Sequence, residues 1–231
     1  MTDQHDRKTI SSGRCIAGVA PFTALVLALS IAIACGSSPP PQVALSEAWP
    51  DKPGQYREVH REWTRRAVLR THDQQVVEAY ATYKSPAWRA AYVAHSARTH
   101  KLSPDSQKAL QEEQSKAAAA SHEVHLLVTT WDRNENDLHK GEKSVWRLVL
   151  ADDRGGEVAP VSIERDSRPF YVVRAEYPDL GDFAVPYVAR FPRQISLLRG
   201  DARQFSLTMA STRGAIEFVW QGADNPGTGQ D

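Results

Sequence analysis

Histidine and acidic side chains are the natural first suspects for chemistry, and His122-Glu123-Val124-His125 sets two imidazoles around a carboxylate. Two histidines that share one zinc ion from a helix must sit four apart, so that both face the metal while a glutamate serves as base. Here the spacing is three. On a strand, residues three apart point to opposite faces, so the expectation is two solvent-facing histidines at a strand start and no zinc. A second constellation, Asp132-Arg133-Asn134-Glu135-Asn136-Asp137, puts oxygen-bearing side chains at alternate positions. Asp132, Asn134 and Asn136 fit the first three ligand places of a twelve-residue calcium loop. Asp137 stands where such a loop turns on glycine, and Lys143 where a bidentate glutamate closes the site. These three residues are the calcium candidates, and a metal-free polar loop is the expectation.

Arg57, Arg61, Arg65 and Arg66 recur along one side of an expected helix and form the candidate binding face for an anionic partner. Glu58 and Glu62 interrupt the series, so a solvated face of local ion pairs is the competing reading. No nucleophile elbow, phosphate loop, dinucleotide fingerprint or Ser-x-x-Lys set can be read beyond residue 35, and no cofactor is expected. A non-catalytic module is therefore expected. The alternative is a hydrolase of cell-wall or surface glycan, because the carboxylate pair of such an enzyme meets only in the fold and leaves no spacing signature. Lysine plus arginine equals aspartate plus glutamate at 28 each, which removes the basic field that would suggest nucleic acid.

The elements that must carry these residues follow from periodicity. Tyr56, Val59, Trp63 and Ala67 recur at helical intervals, and Ser85-Pro86 and Ser103-Pro104 each offer a capping hydroxyl followed by proline at the first helical position. Residues 55–121 are read as a helical segment, with Tyr80, Tyr83, Trp88 and Tyr92 in its packing. From 122 to 221 the apolar residues alternate in short runs, with strands expected at 122–130, 145–151, 157–163, 170–175, 183–191, 204–210 and 215–220. The fold class expected is α+β, a helical segment followed by an antiparallel β-sandwich. The strand count and length resemble an immunoglobulin-like sandwich, without its cysteine pair, and with Tyr187 as the candidate for a tyrosine corner. Residues 35–54 read as a Pro/Ser-rich tether and 222–231 as a disordered tail.

At the other end, Arg7, Lys8 and Arg14 precede an apolar run that closes on small residues at Cys35. Ala32-Ile33-Ala34-Cys35 resembles the lipobox of bacterial lipoproteins, with Ala32 where leucine is usual. The resemblance implies a signal peptide at 1–34, a diacylglyceryl group on the Cys35 thiol, and a mature chain held in a membrane by that lipid. An uncleaved membrane-spanning anchor is the alternative. Gly36 after the cysteine resembles the outer-membrane default where the source has such a membrane. The expected location is the cell envelope, facing periplasm or surface, with the membrane and an envelope protein as partners. Since Cys15 is the only other cysteine, no disulfide framework is expected in the body. Intact-mass measurement of the native protein should find an acylated chain beginning at Cys35, and Cys35→Ser should leave an unacylated chain that retains residues 1–34. An unmodified wild-type chain starting at Met1 would point to the uncleaved anchor.

Overall fold

The computed structural model describes residues 40–223; the expected signal peptide, Cys35 and the tail beyond Ala223 lie outside them. The order of elements is α1 (Tyr56–Trp63), β1 (Thr64–Thr71), β2 (Gln74–Tyr83), α2 (Pro86–Thr99), α3 (Pro104–Ala120), β3 (His122–Thr130), β4 (Arg147–Asp152), β5 (Glu157–Val158), β6 (Ser162–Arg165), α4 (Phe170–Glu176), β7 (Val185–Phe191), β8 (Gln204–Ser211) and β9 (Gly214–Gln221). The strands pair antiparallel in two sheets, one in the order β1-β2-β3-β7-β6 and the other β5-β4-β8-β9. The fold is α+β.

Alternation assigns the faces. Val77, Ala79, Ala81 and Tyr83 lie opposite Thr130, Val128, Leu126 and Val124, and Tyr83 reaches across to the second sheet, its ring 4.9 Å from Phe205. Phe205 stacks on Trp220 at 4.9 Å, and the Trp220 Nε1–H donates to the Trp63 carbonyl at 2.9 Å. These aromatics belong to one continuous hydrophobic core shared by both sheets. The intervening residues of β3, Glu123, His125 and Leu127, face the helices and are buried as well. With both faces covered, β3 has no polar side. The reading of His122 and His125 as solvent-facing is corrected here: they do point to opposite faces, but they are 1% and 0% exposed. His122 bonds the Tyr83 hydroxyl and the Ile195 carbonyl, each at 2.9 Å.

Both Ser-Pro starts form as expected, since Ser85 accepts from the Trp88 N–H and Ser103 from the Ser106 N–H. The helical segment 55–121 does not hold throughout, because residues 64–83 form a hairpin whose second strand pairs with β3. Its turn is made by His72 and Asp73 at φ 50° and 65°, a two-residue mirror-image turn without the glycine that usually marks one. The strand expected at 170–175 is α4 instead: Pro169 starts it, and Val173 and Tyr177, four apart, both turn inward. The strand expected at 157–163 divides into β5, paired with β4, and β6, paired with β7.

The tether reading of 35–54 also fails at Val43–Leu45. Val43 and Leu45 are buried, and Val43 exchanges backbone bonds with the end of β9, from its N–H to Gln221 O and to its own carbonyl from Ala223 N–H, both 2.9 Å. Gln42-Val43-Ala44-Leu45 alternates as a strand does, and two apolar side chains suffice to seat it. At the opposite end of β9, Gly214 lies against Leu69 of β1. Replacing His72-Asp73 by Asn-Gly, the pair best suited to two positive φ values, should stabilise the protein by up to about 1 kcal/mol in urea unfolding. A loss of stability would mean that the hairpin turn is not formed this way.

Candidate functional site

Two places on the five-stranded sheet gather the side chains that could act on a ligand. The first is a polar cleft of about 420 Å3 under α2, α3 and α4, on the face to which β3 sends Glu123 and His125. Glu123 is ion-paired with Lys84, and its other oxygen lies 3.3 Å from Arg89 Nη2. Arg89, 1% exposed, spends its remaining donors on the Lys84 carbonyl at 3.0 Å and Gln114 Oε1 at 2.7 Å. Burial alone would raise the Glu123 pKa, but the two cations outweigh it and bring it to about 2. Burial likewise pushes the Lys84 pKa down, by more than Glu123 restores.

His125 lies buried beneath this cleft, against its lining residues Asp166 and Tyr177. Its Nε2 lies 3.1 Å from Asp166 Oδ2, and its ring stacks on Tyr177 with centroids 3.6 Å apart. Arg168 grips Asp166 at 2.7 Å and reaches Glu176 at 2.7 Å, and the Tyr92 hydroxyl donates to Glu176 at 3.2 Å. Burial lowers the His125 pKa to about 4 despite the neighbouring carboxylate. Burial alone would raise Asp166, but bonds from His125 and Arg168 hold it well below the usual carboxylate range. At neutral pH, then, a neutral imidazole donates Nε2–H to an ionised aspartate. Its Nδ1 and the Tyr177 hydroxyl are buried and have no partner among the described residues. A general base needs a lone pair within reach of substrate, and Nδ1 is sealed. Within the cleft, Glu123, Asp166 and Glu176 set against Lys84, Arg89 and Arg168 clamp α2 and α4 to the sheet.

The second place is a groove of about 760 Å3 at the end of the same sheet, where β3 finishes and β7 begins. Trp131 and Phe183 wall it, each 70% exposed. Thr129, Ala184 and Val185 form its floor, and Arg133 and Arg165 stand at its rim. Arg133 lies over the Phe183 ring at 5.4 Å. Asp182, the groove's carboxylate, is bonded by Arg174 at 2.5 Å. Large aromatics exposed to this degree are costly to leave in water and mark contact surfaces when they gather at a concavity.

Comparison of the chain with protein-family models, curated proteins and solved structures finds no match.

Cys35 lies outside the described residues. The calcium candidates do not converge: Asp132 caps its own turn by accepting from the Asn134 N–H at 2.9 Å, and Asn136 is buried. The Asn136 amide donates to Val128 O at 2.7 Å, while its Oδ1 accepts from the Tyr187 hydroxyl at 2.9 Å. Tyr187 thus ties the loop to β7. Among the described residues no group of three or more histidine, cysteine or acidic side chains could hold a metal ion.

The arginine face is divided by the end of α1 at Trp63. Arg57, Arg61 and Arg66 remain exposed around a shared cleft with Tyr80 and Asp179. Arg65 turns inward, 6% exposed, and donates to the carbonyls of Pro41 and Val219 at 2.7 Å each. Below that cleft, His60 accepts from Trp88 Nε1–H at 3.4 Å. Both Asp179 and the Thr64 hydroxyl lie at its Nε2, whereas a nucleophilic triad places them on opposite nitrogens.

Glu123 and His125 stand out in the sequence only as an incomplete zinc motif, and their partners Asp166 and Arg168 do not stand out at all, nor do Trp131 and Phe183. The first group carried one signal: polar residues at alternate positions of a strand otherwise apolar throughout. An unfolded chain takes up a proton on histidine near the ordinary pKa of 6.5, whereas folded His125 resists to about 4. Stability should therefore be complete above pH 6.5 and decline by roughly 3 kcal/mol as pH falls to 4 through this residue. Glu123 adds a further loss below its ordinary 4.5 as pH approaches 2. His125→Gln should reduce the slope between pH 6.5 and 4 in urea titrations at stepped pH. An unchanged slope would shift the effect to the other histidines held low by burial, His95, His122 and His139.

Proposed function

We propose that this chain is a lipid-tethered module of the bacterial cell envelope that binds a ligand in the groove between Trp131 and Phe183 and does no chemistry on it. The observation that carries the reading is the pair of large aromatic side chains, each 70% exposed, that wall a concave site of ligand-binding size. Among the described residues, each carboxyl whose pKa departs clearly from its ordinary value departs downward: Glu123, Asp137, Asp153, Asp166 and Asp201. A glycan hydrolase needs one carboxyl raised so that it stays protonated as general acid, so this pattern favours binding.

The scaffold is read as an immunoglobulin-like sandwich with one added strand. The sheet orders β2-β3-β7-β6 and β5-β4-β8-β9 reproduce the A-B-E-D and C′-C-F-G orders of that architecture, with β1 added outside β2. Tyr187, on β7 in the place of strand E, does not occupy the tyrosine corner. The envelope location and the lipid rest on the lipobox resemblance at Cys35. No helix among the described residues is long and apolar enough to cross a membrane.

The test is sedimentation of the detergent-solubilised full-length protein with purified envelope material. Trp131→Ala combined with Phe183→Ala should abolish sedimentation while changing thermal stability little, because these side chains bury little area on folding. Charge reversal at Arg57 and Arg61 should leave sedimentation intact. Retention in the aromatic double variant, or loss in the charge-reversed one, would move the site away from the groove.

A further inference from the structure

We infer that the ligand of the Trp131–Phe183 groove is a carboxylate-bearing oligosaccharide; the inference rests on the groove being the binding site. Three features of the groove select this chemistry. The first is backbone pairing. β3 is paired with β2 through Thr130, the Trp131 N–H donates to Val76 O at 3.0 Å, and β7 pairs with β3 through Val185. Where they form the groove, β3 and β7 are each paired on both sides, so an extended peptide would find no ladder to join between Trp131 and Phe183. Recognition falls to side chains.

The second feature is charge. Arg133 and Arg165 form no ion pair among the described residues, whereas Asp182 is already satisfied by Arg174. The groove therefore presents two guanidiniums that a ligand carboxylate can neutralise. The Arg133 guanidinium lies over the Phe183 ring, and no side-chain bond engages it among the described residues, so its N–H groups are available for a bidentate bond.

The third is the shape of the apolar surface. Trp131 offers a flat, open face rather than an enclosed pocket, suited to the C–H face of a pyranose ring and poorly suited to an alkyl chain, which needs enclosure. Thr129 and Gln75 beside it can bond ring hydroxyls. A nucleic-acid strand would bring one phosphate per nucleotide against two cations, on a chain whose fixed charges balance. A groove of about 760 Å3 takes several rings at once.

Trp131 is also the reporter. Trp63, Trp88, Trp146 and Trp220 are buried and Trp49 is half-buried, so a ligand on the exposed indole dominates any fluorescence change. The full-length protein in detergent would be titrated with oligogalacturonate, with its neutral methyl ester, with a neutral malto-oligosaccharide and with an oligoglutamate peptide. Oligogalacturonate should quench and shift Trp131 emission. The methyl ester should bind roughly tenfold more weakly or worse, as should oligogalacturonate to the Arg133→Ala, Arg165→Ala double variant, because each loses charge-assisted hydrogen bonds. Trp131→Phe should remove the signal while calorimetry still records binding.

Equal affinity for the ester or the neutral sugar overturns the carboxylate while leaving the groove in place. Binding of oligoglutamate through Trp131 and the two arginines, with no sugar bound, overturns the glycan but again leaves the groove. Oligogalacturonate binding that survives Trp131→Ala with Phe183→Ala places the site elsewhere and takes the functional reading with it. No response to any of the four overturns the inference.

Discussion

Strand β3 runs through the middle of its sheet without a solvent side, and it brings a carboxylate and an imidazole into that position. An ionised glutamate there is tolerable only if cations come to it. Lys84, from the turn after β2, and Arg89, from the first turns of α2, meet that demand. His125 needs an acceptor for its N–H, and Asp166 from the end of β6 supplies one. Because Asp166 is then itself buried, Arg168 closes over it and continues to Glu176 at the end of α4. The packing of two helices against the sheet thus follows from two polar residues on one strand. Removing one partner of such a network leaves the other charge uncompensated, which typically costs several kcal/mol.

The same comparison of demand and supply separates residues that hold the fold from residues left over for a ligand. Arg65 and Arg133 are both arginines near a sheet boundary, but their surroundings differ. Arg65 satisfies carbonyls of the entering chain and of β9, and its guanidinium sits 5.8 Å over Trp220, joining the two sheets where they meet. Burial lowers its pKa to about 10. Arg133 has an aromatic ring beneath it and no carboxylate against it. The polar cleft is spent internally; the aromatic groove is not.

What the residue pattern reveals about this chain depends on where its signals are local. The Ser-Pro caps, the alternation along 122–130 and the strands near 204 and 215 are all legible, because the cause lies within a few residues. The first hairpin is hidden, since His72-Asp73 takes a turn that asparagine-glycine would announce, and since Arg57, Arg61 and Arg65 keep helical spacing across a real helix end at Trp63. Phe170–Ala175 is rich in residues that favour strands, yet one inward position, Val173, followed by Tyr177 four later, settles it as helix. The candidate sites were least legible. Nothing near Trp131 in sequence says that Phe183 lies across from it, and the partners of Glu123 come from positions 84 and 89.

The way the chain enters the fold places its N-terminal side at one end of the body and the aromatic groove toward the other. Val43 is fastened beside Gly222, at one end of β9, whereas Gly214 at the other end touches Leu69, whose partner Val77 pairs with Thr130 at the groove. Eight residues of strand separate those ends, about 26 Å at the usual rise. From Cys35 to Pro41 the chain can reach at most about 22 Å even when drawn straight. If the chain is tethered as proposed, its attachment lies at the end of the body away from the aromatic groove. Mounted so, the protein would present its opening away from the bilayer, like a hand held up on a wrist, to long polymers rather than to molecules lodged within the membrane.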